Sequence, residues 1–126
     1  DLNNASVVMK VVYGKNSFLF TCDAEEKSEK KILANGADIK ADVLKLGHHG
    51  SSTSTSEEFL KVVSPSLALI SCGKDNDYGH PHKETIEKLE KYNIPYERTD
   101  IKGTIVVGSD GEHLSTAFPD NKTAEK

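Results

Sequence analysis

An α/β fold is predicted by two features of the chain. Short runs rich in β-branched residues alternate with capped, amphipathic segments, and glycine or proline marks nearly every junction. The order read along the sequence is β-β-α-β-α-β-α-β-β-β. Residues 5–14 (ASVVMKVVYG) and 17–23 (SFLFTCD) read as two strands joined through Gly14-Lys15-Asn16 into a hairpin. Residues 24–36 form a helix whose acidic residues lead, whose lysines trail and whose end is closed by Gly36. Ile32 and Leu33 are its main apolar contacts, so it is expected to lie on the outside. Residues 41–47 (ADVLKLG) are a short strand. Residues 54–64 are a helix with Thr55 and Glu58 as a capping box, packing through Phe59, Leu60, Val62 and Val63 and ended by Ser64-Pro65. Residues 66–73 (SLALISCG) are apolar almost throughout, which predicts a central strand covered on both sides. Residues 80–93 are a helix with His80 as cap, Pro81 in the first turn and Ile86, Leu89 and Tyr92 on one face. Strands at 95–99, 103–109 and 112–118 complete the domain, the last two joined by Ser109-Asp110-Gly111. Residues 119–126 are a polar tail, so the domain is expected to occupy 1–118.

Composition narrows the function classes. A chain of 126 residues with 36% apolar and 29% charged residues suits one globular domain. No apolar run approaches the roughly 18 residues of a membrane span. No signal peptide opens the sequence, which starts at Asp1 in the manner of mid-protein sequence. The net charge of −4 lacks the basic footprint of a nucleic-acid binder, so contact with nucleic acid would have to be local or metal-mediated. Cys22 and Cys72 are too few for a disulfide framework and read as two buried thiols.

The chemistry-bearing residues fall at strand ends. Asp23 follows FLFTC, His48 and His49 follow DVLKL, and His80 and His82 follow LALISC. Strand ends on one edge of an α/β sheet converge, and ligand sites form there. A carboxylate with imidazoles supplies oxygen and nitrogen donors for Zn²⁺, Mn²⁺ or Fe²⁺. Each piece also has a plain reading: Asp23 as a helix cap, His48-His49 as a turn, His80 as a cap before Pro81, and the Ser/Thr tract 51–56 as a solvated loop. Gly47 and Gly50 flank the histidine pair and permit a sharp turn. Adjacent side chains point apart, so one of the pair is expected to bind an ion and the other to contact a neighbouring group or substrate.

The segments SVVMKVVYGKNSFLFTCDAE, ADVLKLGHHGSSTSTSEEF, SPSLALISCGKDNDYGHPH and TIVVGSDG together resemble the second half of metallo-β-lactamase-fold hydrolases. The similarity is to the branch found as the C-terminal domain of bacterial competence DNA-uptake channels of the ComEC type and in related stand-alone hydrolases. It covers residues 3–116. The resemblance implies the C-terminal half of an αββα sandwich, a mixed sheet with helices on one face. It implies a dinuclear site for zinc or manganese, with Asp23 as the bridging carboxylate and His49, or else His48, as a later ligand. His80 and His82 match catalytic positions near the substrate or second ion. The implied activity is metal-dependent hydrolysis of phosphodiester or other ester bonds, with a metal-bound hydroxide as nucleophile. The implied parent protein is extracellular or membrane-associated.

Two departures qualify the resemblance. Cys22 stands before Asp23 where relatives carry glycine, and the His-x-His-x-Asp-His run of the family's first half is absent. The chain therefore resembles the C-terminal half of a larger hydrolase, inactive on its own. Half a sandwich leaves the inner sheet face bare, which predicts either association with the missing N-terminal half or self-association through that face. The alternative reading is a non-catalytic docking module in which Asp23 and the histidines are structural.

Overall fold

The computed structural model describes residues 8–22, 24–73 and 79–120, His48 by its backbone only. Asp23 and parts of the first strand, the loop before His80 and the polar tail lie outside the described residues. β1 (Met9–Tyr13) and β2 (Asn16–Phe20) are followed by α1 (Glu26–Ala34), β3 (Val43–Lys45), a 3₁₀ turn (Gly47–Gly50), α2 (Glu57–Val63) and β4 (Leu67–Ile70). Then come α3 (Lys83–Lys91), β5 (Tyr96–Arg98), the single-turn α4 (Thr99–Lys102), β6 (Val106–Ser109) and β7 (Leu114–Ala117). The molecule is α/β, as the sequence predicts.

β1 to β5 form one mixed sheet in sequential order. β1 pairs antiparallel with β2, and every later pair is parallel. Parallel neighbours need crossovers, and crossovers are right-handed. Because the order from β2 to β5 never reverses, α1, α2 and α3 must all fall on one face of the sheet. That face carries Leu19, Leu44, Ala68 and Ile70, buried against Phe59, Leu60 and Val63 of α2 and Leu89 of α3, with Ile32 and Leu33 of α1 packed at the margin. Each fully buried Leu, Ile, Val or Phe side chain among them contributes about 1.5–3 kcal/mol on burial.

The opposite face is different. Val11, Phe18, Phe20, Val43, Lys45 and Leu69 line an open, mostly apolar groove of about 340 Å³, with Ile105 and Val107 along its other wall. β6 and β7 form a separate two-stranded sheet that docks by its turn onto the β1–β2 turn. Lys15 N–H donates to Gly111 O and Ser109 Oγ to Asn16 Oδ1 at 2.6 Å. Gly14 (φ +59°) is required there, because a Cβ on it would lie 2.5 Å from Gly111 O. The expectation that residues 66–73 are covered on both sides therefore fails. Ala68 and Ile70 are buried while Leu67 and Leu69 are half-exposed, since the crossovers bring helices to one side only.

Local chemistry moved several element ends inward. α2 is capped by Ser56, whose hydroxyl accepts from Phe59 N–H at 3.3 Å, in place of Thr55. His82, not His80, occupies the cap position of α3. α1 is less peripheral than expected, since it buries Ser28 and Glu29. His113 lies in the turn before β7, where its N–H donates to Asp110 Oδ1 at 2.7 Å. Both cysteines are free thiols; Cys72 is buried as expected but Cys22 is exposed. Among the described residues, no helix is long and apolar enough to cross a membrane.

One described feature works against stability. The Thr85 hydroxyl is buried with no hydrogen-bond partner. A buried hydroxyl without a partner carries a desolvation cost of about 1–3 kcal/mol. Thr85→Val should raise folding stability by roughly 1 kcal/mol in chemical denaturation; a loss of that size would show that the hydroxyl is satisfied in solution.

Candidate functional site

The parallel strands deliver the sequence motifs to one edge. Phe20 pairs with Lys45 and Lys45 with Leu69, so the segments after β2, β3 and β4 leave the sheet side by side at its C-terminal edge. Thr21 Oγ1 donates to Lys45 O at 2.8 Å, tying the first two exits together. Gly47 is packed so tightly that a Cβ on it would lie 2.8 Å from Ala24 O and 3.3 Å from Cys22 O. The two residues that flank Asp23 thus rest against the first residue of the Gly-His-His-Gly turn. The third exit joins through Gly50 (φ +81°), where a Cβ would come within 2.7 Å of Pro81 Cβ and 3.1 Å of Ile70 Cγ2. His82 N–H donates to Gly50 O at 3.0 Å. The His80-Pro81 peptide bond is cis.

Three imidazoles follow one another along this edge. The ring of His49 stacks at 6.0 Å from that of His80, which lies 4.7 Å from that of His82. His49 itself has φ +55°, a left-handed backbone that the flanking glycines accommodate. Its Nδ1 is 2.8 Å from Ser71 O. A carbonyl oxygen only accepts, so Nδ1 carries the proton and Nε2 the lone pair. Backbone contacts of this kind orient metal-ligating histidines. An imidazole oriented by a backbone carbonyl in this way is a nitrogen donor of the type that Zn²⁺ and Mn²⁺ accept. Among the described residues, no three His, Cys, Asp or Glu side chains lie together in a way that could hold a metal. Asp23 and the His48 side chain lie outside that set, and so would the further donors of a complete shell.

The Ser/Thr tract behind the turn is not a solvated loop. Ser51, Ser54 and Thr55 are buried. Ser54 Oγ donates to Ala24 O at 2.6 Å, and Glu26 N–H to Thr53 O at 3.0 Å. The Glu29 carboxylate, 1% exposed, accepts the N–H groups of Thr55 at 2.5 Å and Ser56 at 2.9 Å. Lys88 Nζ donates to the carbonyls of Ser54 and Thr55, at 3.3 and 2.7 Å. An acid from α1 and a base from α3 thus hold the backbone that carries the histidine turn. Sequence reasoning missed both. The only sequence signal was a charge at an inward position of each helix, which needs the packing to be recognised.

Burial is the main influence on both groups. It raises the Glu29 carboxyl above its ordinary value of 4.5, opposed by the Ser56 and Thr55 N–H groups. It lowers Lys88 from 10.5, opposed by the charge of Glu29.

Comparison with known proteins finds the chain 45% identical over 103 residues to ComE operon protein 3 of Bacillus subtilis (strain 168). It is 46% identical over 105 residues to Recombination protein 2 of Haemophilus influenzae, and 38% identical over 109 residues to Competence protein ComA of Neisseria gonorrhoeae. These similarities cover 82–86% of this chain but only 13–16% of the relatives, so the chain spans a small part of the length of the proteins it matches. No protein-family model matches it.

Removing the Glu29 side chain tests the scaffold. Glu29→Ala leaves two buried N–H donors unpaired and should lower folding stability by about 2–4 kcal/mol. Because the folded-state pKa is raised, the contribution of Glu29 is fully present below 4.5 and declines as pH rises through the folded value. The loss measured by denaturation should accordingly be larger at acidic than at neutral pH. The opposite trend would mean that the carboxylate is stabilised as an anion.

Proposed function

We propose that this chain is the C-terminal part of a dinuclear metal-dependent hydrolase with a metallo-β-lactamase-like αββα sandwich. It would act on phosphodiester or other ester bonds in a role connected with competence and DNA uptake. The observation that carries the reading is the contact of Cys22 and Ala24, on either side of Asp23, with Gly47 of the histidine turn. The similarity to Competence protein ComA supports the competence connection. The one-sided sheet, with its apolar groove, supports half of a sandwich.

In this reading Asp23 and His49, or else His48, would hold zinc or manganese. Bound ions of this kind lower the pKa of water and polarise ester or phosphoryl oxygens. The chain's own residues do the rest. Ser71 O keeps the His49 proton on Nδ1, and Gly47 leaves room for the backbone of Cys22 and Ala24. His80 and His82 face the substrate as catalytic groups. The missing N-terminal half covers the inner sheet face and supplies the remaining ligands. A non-catalytic docking module, with Asp23 and the histidines structural, is the second reading.

Asp23→Ala and His49→Ala, made in the longer protein that carries this segment, should each lower zinc or manganese affinity by at least about tenfold, measured by calorimetry and metal analysis. Unchanged metal content in both variants would reject the ligand assignment. The bare groove makes a second expectation. At high concentration this chain alone should self-associate in light scattering, and a stable monomer would contradict the half-sandwich.

A further inference from the structure

The hydrogen bonding along β4 continues past the point where its neighbours turn away. On the β5 side, Ala68 N–H donates to Pro95 O at 2.9 Å, and the register runs on to Ile70 opposite Arg98. Bonds in a parallel pair are evenly spaced, so the same series continued to Cys72 would bring its N–H to Thr99 O. The chain enters α4 at Thr99, however, and Thr99 O accepts from Gly103 N–H at 2.9 Å. The threonine hydroxyl takes over. It accepts the Cys72 N–H and donates to Cys72 O, both at 2.9 Å. One side chain thus gives Cys72 the donor and the acceptor that a strand would have supplied. On the β3 side, Leu46 N–H donates to Leu69 O at 2.9 Å before the chain turns into Gly47–Gly50. The carbonyl two residues further along that flank is Ser71 O, and His49 Nδ1 meets it at 2.8 Å.

Ser71 C=O and Cys72 N–H belong to a single peptide unit, which is planar and points its two polar groups in opposite directions. One end of that plane meets the His49 ring and the other the Thr99 hydroxyl. We propose that Thr99 is a positioning residue of the candidate site, fixing the Ser71–Cys72 peptide plane and through it the orientation of the His49 ring and the nitrogen that carries its proton. The catalytic use of that ring rests on the hydrolase reading; the relay itself involves no metal. Thr99 is fastened in turn by its neighbours. Arg98 Nε and Nη2 donate to the Asp100 carboxylate at 3.0 and 2.6 Å, both side chains being partly buried. The buried Cys72 thiol lies against the same carboxylate, and burial, then the Asp100 charge, pushes it above its ordinary value of 9.0. The exit of β5, which carries no histidine, thereby joins the layer built by the exits of β2, β3 and β4.

Long-range ¹H–¹⁵N correlation spectra of the labelled chain, at a pH where imidazole is neutral, read which His49 nitrogen is protonated. The chain should show the Nδ1-protonated pattern. Thr99→Val keeps the shape without the hydroxyl and should lower the ratio of Nδ1- to Nε2-protonated His49 by about threefold or more, as weakening one hydrogen bond allows. Thr99→Ala should do the same with less bulk, and Thr99→Ser should restore the original ratio. Val63→Ala, at a fully buried core position, should lower stability and leave the ratio unchanged. An unchanged ratio in both Thr99→Val and Thr99→Ala, no rescue by serine, or an equal shift in Val63→Ala would reduce Thr99 to a structural contact and overturn the proposal. No metal enters the measurement, so failure of the ligand assignment in the Asp23 and His49 variants would leave the relay standing, and failure of the relay would leave that assignment standing.

Discussion

The site depends on two places where there is no room for a side chain. Gly47 lies against the backbone on both sides of Asp23, and Gly50 against Pro81 and Ile70. These contacts draw the exits of three parallel strands into one layer. A methyl group at either position would push a loop away by a few tenths of an ångström or more, against the Ala24 carbonyl at Gly47 and against the Pro81 ring and the Ile70 side chain at Gly50. At Gly50 the positive φ adds its own penalty for any other residue. The glycines therefore act as spacers set to zero, and the histidines between them inherit their positions from that closeness.

The remainder of the architecture keeps this layer rigid while leaving another surface open. Right-handed crossovers place all three long helices on one face, and their packing yields a single core. Glu29 and Lys88 extend that core into the polar tract, pairing the backbone groups of Thr55, Ser56 and Ser54. A buried acid and base are costly to desolvate, and here each is matched by several hydrogen bonds to backbone. The other sheet face receives only the β6–β7 hairpin and stays apolar and open. The chain thus shows a packed helical layer on one side of the sheet and an open apolar groove on the other. That asymmetry follows from strand order and crossover hand alone.

Much of this was legible in the sequence, for identifiable reasons. Strand positions followed from β-branched runs such as VVMKVV and SLALI, and the hairpin from Gly14. The convergence of motifs at one edge followed from their placement after successive apolar runs. What was hidden were pairings between distant residues. Six consecutive Ser and Thr residues offer several equivalent caps, and the choice of Ser56 was made by Glu29, which binds Thr55 N–H from 26 positions away. Lys88 reaches the same tract across 33 positions. Burial of the tract, and the shift of the α3 cap from His80 to His82, are tertiary effects that no local pattern encodes. Cys22 sits in a left-handed turn (φ +47°) at the sheet edge and so stays exposed, despite the usual burial of thiols.

The proposed function stands on one cation drawing its ligands from Asp23 and from the His49 turn together. Paramagnetic broadening by substoichiometric Mn²⁺ in the ¹⁵N-labelled chain tests it most directly, since it reports proximity to a weakly held ion. The account predicts selective loss of the amide signals of Cys22, Asp23, Ala24 and Gly47 through His49 before any others. Broadening centred on the acidic residues of α1 or α2, with the Gly47–Gly50 turn untouched, would contradict it.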